Sequence, residues 1–281
     1  MSSRKTQRLS WDALTYLVFL FALVFFAGPL LWLLSLSVRD QTEIFITSLR
    51  LIPENPTLEN YTEVLYTAQF SVFLLNSLKL ALAGSIGAMV ISAPAAYAFS
   101  RLSFRGSGAF LVGVLALQMV SPLVVVIPLY RYFDRLNLLD SYFSTSMVYI
   151  AILIPLATWM LKGFFDGIPP ALDEAAMVDG CTRFGAFRRV TLPLILPGLT
   201  SVFVLTAILA WGEFVVPYVL ISDPSRYPIS IGILNFQGNY ATNSTNVLAA
   251  GGVLAMLPAI ATFVILQRFI VRALTSGAIK G

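Results

Sequence analysis

Six stretches of this chain, at about residues 13–38, 73–99, 109–130, 142–161, 192–220 and 247–266, are each largely apolar over the roughly 20 residues that a helix needs to cross a bilayer. Runs of this length predict an all-α, polytopic membrane protein with six transmembrane helices. The first run lies near the N-terminus, as a signal peptide would, but its apolar core is longer than the 7–15 residues of such a peptide, so a retained first helix is expected. Composition agrees: 58% of the 281 residues are hydrophobic and 11% are charged, against roughly 25% charged in soluble domains.

The charges between the runs set the expected orientation. Arg4, Lys5 and Arg8 precede the first run, Arg101 and Arg105 follow the second, Lys162, Arg183, Arg188 and Arg189 follow the fourth, and Arg268, Arg272 and Lys280 follow the sixth. The opposite side holds only Arg39, Arg50, Arg131, Arg135 and Arg226, and Lys79 lies within the second run. An excess of Lys and Arg marks the cytoplasmic side, which predicts both termini inside. The net charge of +4 is scattered membrane-flanking charge rather than a basic patch with interleaved aromatics, so no nucleic acid is expected.

Several chemistries are excluded by what is missing. The chain has no histidine and one cysteine, Cys181, which removes His-based nucleophilic catalysis, His or paired-Cys zinc sites and any intrachain disulfide. No G-x-x-x-x-G-K-[ST] run is present, so nothing here cradles a nucleotide phosphate. No pair of acidic residues lies within the runs to relay protons. An energy-driven transporter built on this chain must therefore draw its energy from another chain. A six-helix secondary transporter or channel is the alternative; it predicts an internal repeat or intramembrane charge pairs, and neither is visible. An intramembrane enzyme lacks a catalytic constellation.

Every run contains proline, and each can kink its helix. Gly84, Ala88, Ser92 and Ala96 in the second run, and Gly251, Ala255 and Ala259 in the sixth, are small residues at four-residue spacing, a pattern that lets two helices approach closely; the partner could lie within this chain or in another subunit. The first external loop, about residues 39–70, is acidic and carries Pro53, Pro56, Tyr61 and Tyr66, and is expected as a short ordered cap. The fifth loop, about 222–246, is rich in Gly, Asn, Ser and Thr, which suits a partner, a ligand or plain solvation. Glu213 is the one carboxylate deep in a run. Such a group is expensive in lipid and should face a cavity or a polar partner. Either it belongs to a solute pathway or it bonds another helix at Asn76 or Lys79.

The segment Asp173–Gly198, DEAAMVDGCTRFGAFRRVTLPLILPG, is polar between two apolar runs. Pro169-Pro170 sets a helix N-terminus, Asp173 and Glu174 fall in its first turn where the dipole favours anions, and Ala171, Ala175 and Ala176 give it a narrow face. Asp179-Gly180 is a stop, with Gly180 free to turn left-handed. A second short helix, about 182–190, carries Arg183, Arg188 and Arg189, and Leu192-Pro193 returns the chain to the membrane. Two short helices joined at a glycine elbow form a knob suited to a socket on another protein.

Glu174-Ala175-Ala176, then Gly180, then Val190-Thr191-Leu192-Pro193 resembles the EAA signature of inner-membrane permeases of ABC importers. Asn76-Ser77-Leu78, AAYAFSRLSFRG at 95–106, WGEF at 211–214 and the ending ALTSGAIKG resemble the carbohydrate-uptake subfamily, and within it the smaller six-span permease of the maltose-transporter type; Gly212 stands where that subfamily commonly has Asn. The resemblance covers nearly the whole chain. It implies a type I importer transmembrane fold: a first helix and acidic loop at 1–70, a permease domain at 71–272 with a cytoplasmic coupling loop at about 167–193, and a tail at 273–281. By carry-over, Glu174, Ala175, Ala176 and Gly180, with Asp179 and Arg183 nearby, would dock into an ATPase. Asn76, Trp211 and Glu213 are candidates for a solute pathway. The implied partners are a homologous second permease, an ATPase dimer that binds ATP and Mg in place of any cofactor here, and an extracytoplasmic solute-binding protein. The implied setting is the cytoplasmic membrane of a bacterium or archaeon, and the implied cargo is a sugar, polyol or glycerol phosphate.

Overall fold

The fold comes from a computed structural model, which describes residues 2–40, 43, 51–67, 69–102, 104–234 and 244–278. Arg50, the centre of the loop after the fifth run and the last three residues of the tail lie outside that description, as do the side chains of Arg4, Lys5, Arg8, Arg268 and Arg272. Among the described residues the regular elements are all helices, with one isolated bridge between Arg39 and Pro56. The elements are α1 (Ser2–Ser37), α2 (Glu59–Thr67), α3 (Phe70–Arg101), α4 (Ser107–Ala116), α5 (Pro122–Arg135), α6 (Tyr142–Asp166), α7 (Ala171–Val178), α8 (Arg183–Ala186), α9 (Leu192–Leu194), α10 (Leu196–Trp211), α11 (Val215–Leu220), α12 (Ile229–Gly232) and α13 (Ser244–Ala278).

Four helices are individually long and apolar enough to span a membrane: α1, α3, α6 and α13. The third and fifth expected spans are instead broken. Ser107–Met119 and Pro122–Arg135 meet at 85°, and Arg183–Leu194 and Leu196–Trp211 meet at 77°; counting each pair as one span brings the total to six. The third break has a local cause. Ser121 precedes Pro122, whose ring disfavours the helical conformation in the residue before it, and Ser121 is extended at ψ 131 while Pro122 opens the next helix. The expected continuous fifth span at 192–220 also ends early: α10 stops at Trp211, and Gly212–Phe214 separate it from α11.

The chain divides into two compact units. In the first, residues 1–69 and 233–256, the described residues of the acidic loop bond back to the end of α1, as expected of a cap. Asn60 Nδ2 donates to the carbonyls of Ser37 (3.0 Å) and Arg39 (2.9 Å), and the Ser37 and Tyr61 hydroxyls bond at 2.6 Å. Asn246 Nδ2, from the start of α13, donates to the Arg39 carbonyl at 3.0 Å. The Arg39 guanidinium lies 5.2 Å from the Trp32 ring centroid, so a buried cation has an aromatic face for company. These bonds satisfy carbonyls left open where α1 ends.

The second unit, residues 70–232 and 257–281, is built on α3 against α6, with α10 packed on both. The partner of the small-residue row is therefore internal. Gly84, Ala88, Ser92 and Ala96 are all buried; a Cβ on Gly84 would come within 2.9 Å of the Tyr149 Cβ, and one on Gly87 within 2.3 Å of Ile150 Cδ1. Ser92 Oγ donates across to the Ile154 carbonyl at 3.3 Å. The core has two clusters. One, with Leu80, Phe133, Tyr149 and Leu220, lies towards the Asn76 end of α3, and the other, with Tyr97, Leu161, Phe165 and Phe187, lies towards the Arg101 end.

Candidate functional site

The polar segment between α6 and α10 folds as two helices joined at a left-handed glycine. α7 opens after Pro169 and Pro170, and it ends in a Schellman arrangement: Gly180 at φ +88 donates to Met177, and Cys181 donates to the Ala176 carbonyl. Both bonds satisfy carbonyls at the helix end, and the positive φ is why glycine is needed there. Thr182 caps α8 by accepting from the Gly185 amide at 3.1 Å. The second helix does not stop near Val190 as expected. It runs on through a π-helical turn at Phe187–Thr191 and through α9 to Leu194, and the chain turns at Ile195 instead of at Leu192-Pro193. Pro193 cannot donate to the carbonyl four residues back. A widened turn, in which the Leu192 amide bonds the Phe187 carbonyl, absorbs that gap without ending the helix.

The faces of α7 differ sharply. Glu174 and Ala175 point outward, and beyond the helix Asp179, Gly180 and Arg183 are exposed too. Exposed with them are two large apolar side chains that the expected docking set did not include, Val178 at 87% and Phe184 at 67%. Ala176, also expected in the docking set, faces inward and is buried.

Asp173, which the sequence places in the first turn of α7, lies on the inner face of that helix and is buried. Its Oδ2 accepts from Arg101 Nε at 2.6 Å, and its Oδ1 accepts from the hydroxyls of Tyr97 (3.3 Å) and Thr191. The side chains of Arg101 and Asp173 are 8% and 5% exposed. Arg101 Nη2 also donates to the Ile168 carbonyl at 2.9 Å, and Nη1 donates to Ser100 Oγ at 3.1 Å. Ser100 Oγ donates to Asp166 Oδ1 at 2.7 Å, and Lys162 reaches the other oxygen of Asp166 at 2.6 Å. The ends of α3 and α6, the start of α7 and the π turn thus share one hydrogen-bonded network. Arg101 closing one helix, with Asp173 three residues before the inward-facing Ala176, was the available signal; with i and i+3 on one face, a buried Ala176 implies a buried Asp173.

At the other end of the unit, Asn76 is fully buried and fully bonded. Its Nδ2 donates to the carbonyls of Ser225 (2.9 Å) and Tyr227 (3.2 Å), and its Oδ1 accepts from Tyr142 at 2.8 Å. The Glu213 carboxylate bonds neither Asn76 nor Lys79. Its Oε1 accepts from the amides of Val215 (3.0 Å) and Val216 (3.2 Å), capping α11 after the break, and Lys79 lies over the Tyr142 ring at 5.4 Å. Two open amides at a helix start are a natural seat for a carboxylate. The Glu213 carbonyl accepts from Ser230 Oγ of α12 at 2.9 Å, so Asn76 fastens the segment between α11 and α12 while Glu213 caps α11 and ties to α12. Trp211 is half-buried against the Leu80 cluster. A cleft of about 420 Å³ opens beside the third-span break, lined by Leu117, Val120, Pro122, Val148 and Ile152 with Gln118 as its polar member. Among the described residues no group of His, Cys, Asp and Glu is arranged to hold a metal ion.

The described residues thus form a helical bundle with two broken candidate spans and an exposed two-helix elbow. Residues 88–276 match the family model described as the inner membrane component of binding-protein-dependent transport systems, and the chain belongs to that family. It is 35% identical over 272 residues to the trehalose transport system permease protein of Mycobacterium tuberculosis, covering 96% of this chain and 97% of that one. It is 31% identical to the galactooligosaccharides transport system permease protein of Bacillus subtilis, with 100% of both chains covered. The sulfoquinovosyl glycerol transport system permease protein of Agrobacterium fabrum is 33% identical, over 90% of this chain and 88% of that one. The fold matches a chain of a bacterial ABC transporter involved in alginate import, with a TM-score of 0.78 at 23% identity over 94% and 97% of the two chains. The protein is thus a multi-pass inner-membrane ABC permease, a transport component rather than an enzyme, and it works with an ATPase and a solute-binding protein.

Proposed function

We propose that this chain is one of two homologous permease subunits that form the path for a sugar or sugar-like solute, with its α7–α8 elbow seated in the ATPase. The observation that carries the proposal is the elbow itself. Val178 and Phe184 are large, apolar and exposed, and the charged Glu174, Asp179 and Arg183 of the same two helices and elbow are exposed with them, the composition of an apolar anchor with a polar rim. Three of the relatives are named for the transport of trehalose, galactooligosaccharides and sulfoquinovosyl glycerol, which supports a carbohydrate class. In this reading the elbow and both termini are cytoplasmic, ATP and Mg are bound by the ATPase dimer, and closure of that dimer drives the elbow and opens the bundle outward. Asn76 acts mainly by holding the segment between α11 and α12, and Glu213 by capping α11.

The test is co-purification. The chain is expressed with its partner permease and ATPase, and the ATPase retained on the membrane complex is quantified for wild type and for Phe184→Ala and Val178→Asp. Retention in wild type with loss in both variants supports the docking surface; undiminished retention in both sinks it.

A further inference from the structure

The network beneath α7 reaches well beyond what a surface loop needs. An ion pair with both side chains under a tenth exposed costs desolvation on each charge, and it holds only when the remaining donors and acceptors are satisfied. Here they are: Asp173 accepts from Arg101, Tyr97 and Thr191, and Arg101 spends its other nitrogens on Ile168 and Ser100. Tyr97 and Arg101 belong to α3, Ile168 to the turn after α6, and Thr191 to the π turn that leads into α10. Tyr97 also packs on Phe165 and Phe187, with ring centroids 5.6 and 4.9 Å apart. Through one carboxylate α7 is therefore hydrogen-bonded both to the end of α3 and to the π turn that follows α8, while Ala176 packs inward beside it.

We propose that the Arg101–Asp173 pair is a force-transmitting clamp: it makes α7 and the end of α3 move as one body, so that displacement of the elbow is delivered to the α3–α6–α10 core instead of being lost in the loops on either side. Arg101 and Asp173 are positioning residues, with Tyr97 and Thr191 fixing the carboxylate. The other connections of α7 are the inward packing of Ala176 and the chain on either side. Before it lies the Gly167–Pro170 turn, and after it lies the exposed Gly180 elbow, which has no other atom within 4 Å of where a side chain would begin. Opposite charges fix a single arrangement because every other arrangement leaves a buried charge unpaired. The role given to the clamp rests on the docking reading above; the existence of the clamp does not.

The experiment measures one distance. Cys181, the only cysteine, is replaced by Ser, and spin labels are attached at Ala171→Cys on α7 and Leu102→Cys just past α3, both exposed positions. The distance distribution is recorded by pulsed electron resonance in nanodiscs for the chain alone, and for the complex with its ATPase, nucleotide-free and trapped with ATP and vanadate. The clamp predicts one narrow distribution in all three states. Asp173→Asn and Arg101→Gln broaden it in the chain alone and shift it when ATP-vanadate is bound, with the retained amount of ATPase unchanged. Arg101→Lys, which keeps the charge, is narrower than Arg101→Gln. A merely structural role would lower the yield of folded complex without producing a nucleotide-dependent shift. The clamp is overturned if the wild-type distance changes with nucleotide, or if Asp173→Asn stays as narrow as wild type in every state. Failure of the ATPase to co-purify with wild type would instead sink the docking reading, while the chain alone still reports on the clamp.

Discussion

Arg101, the last residue of α3, donates to Asp173 in the first turn of α7 at 2.6 Å, across 72 residues of sequence. Few single contacts tie so much of the unit together, and its energetic signature is asymmetric. Removing one charge strands the other, so Asp173→Ala should destabilise the protein by about 3–5 kcal/mol. Replacing both partners by apolar residues, Arg101→Met with Asp173→Leu, should recover much of that loss. Thermal unfolding in detergent for wild type, each single variant and the pair checks the ordering; a double variant worse than either single would contradict it.

Gly180 sits at φ +88 with open space around it, so a substitution there is penalised by backbone conformation and not by collision. Gly180→Val should strain the elbow by roughly 1–2 kcal/mol or more and misdirect α8, lowering ATPase retention while insertion is normal. Gly180→Asn, tolerant of the left-handed region, should be milder. Equal retention for Val and Asn would show that the elbow geometry is not what the ATPase reads.

Glu174 is exposed on the outer face of α7 with no ion pair among the described residues. Glu174→Lys should leave thermal stability within about 0.5 kcal/mol of wild type, as exposed substitutions usually do, yet reduce ATPase retention. A stability loss as large as that of Asp173→Ala would place Glu174 in the fold instead of on the surface.

For Glu213, capping and solute binding predict different outcomes. A glutamine still presents Oε1 to the Val215 and Val216 amides, so Glu213→Gln should keep both stability and uptake close to wild type, while Glu213→Ala should cost about 0.5–2 kcal/mol through the lost cap. Uptake abolished in a stable Glu213→Gln protein would instead assign the carboxylate to the solute pathway.

The close approach of α3 and α6 supplies a control on the core. A Cβ at Gly84 would stand 2.9 Å from the Tyr149 Cβ, so Gly84→Leu should overpack the interface by about 1–3 kcal/mol or more and lower folded yield, whereas Leu at Gly113, which has nothing within 4 Å of its Cβ position, should be tolerated. Equal yields would mean that the helices can separate freely.

Much of the molecule was legible from composition and spacing. Long apolar runs dictate helices, because lipid offers backbone groups no other partner, and the small-residue row at Gly84, Ala88, Ser92 and Ala96 announced a close helix pair. Pro169-Pro170 and Asp179-Gly180 bounded α7 at the residues where it begins and stops, since proline and glycine act through their own backbone torsions. The two broken spans were less legible: proline occurs in every run, and among the described residues these two spans bend at Ser121-Pro122 and at the Ile195–Pro197 corner. A proline can be absorbed, as Pro193 is by the π turn and Pro94 within α3, and which outcome prevails depends on what packs around it.

The sequence by itself determined which segments are helical, where the elbow lies and to which family the chain belongs, because these rest on local periodicity, local torsions and motif spacing. Only the tertiary structure decided which charges work on the surface and which inside. Asp173 and Glu174 are neighbours in one string, yet one is buried against Arg101 and the other faces out. Likewise Glu213 met the backbone of its own next helix and not Asn76 or Lys79. A side chain's partner is set by which distant element reaches it first with a free donor, and that is a property of packing, which no single stretch of chain records.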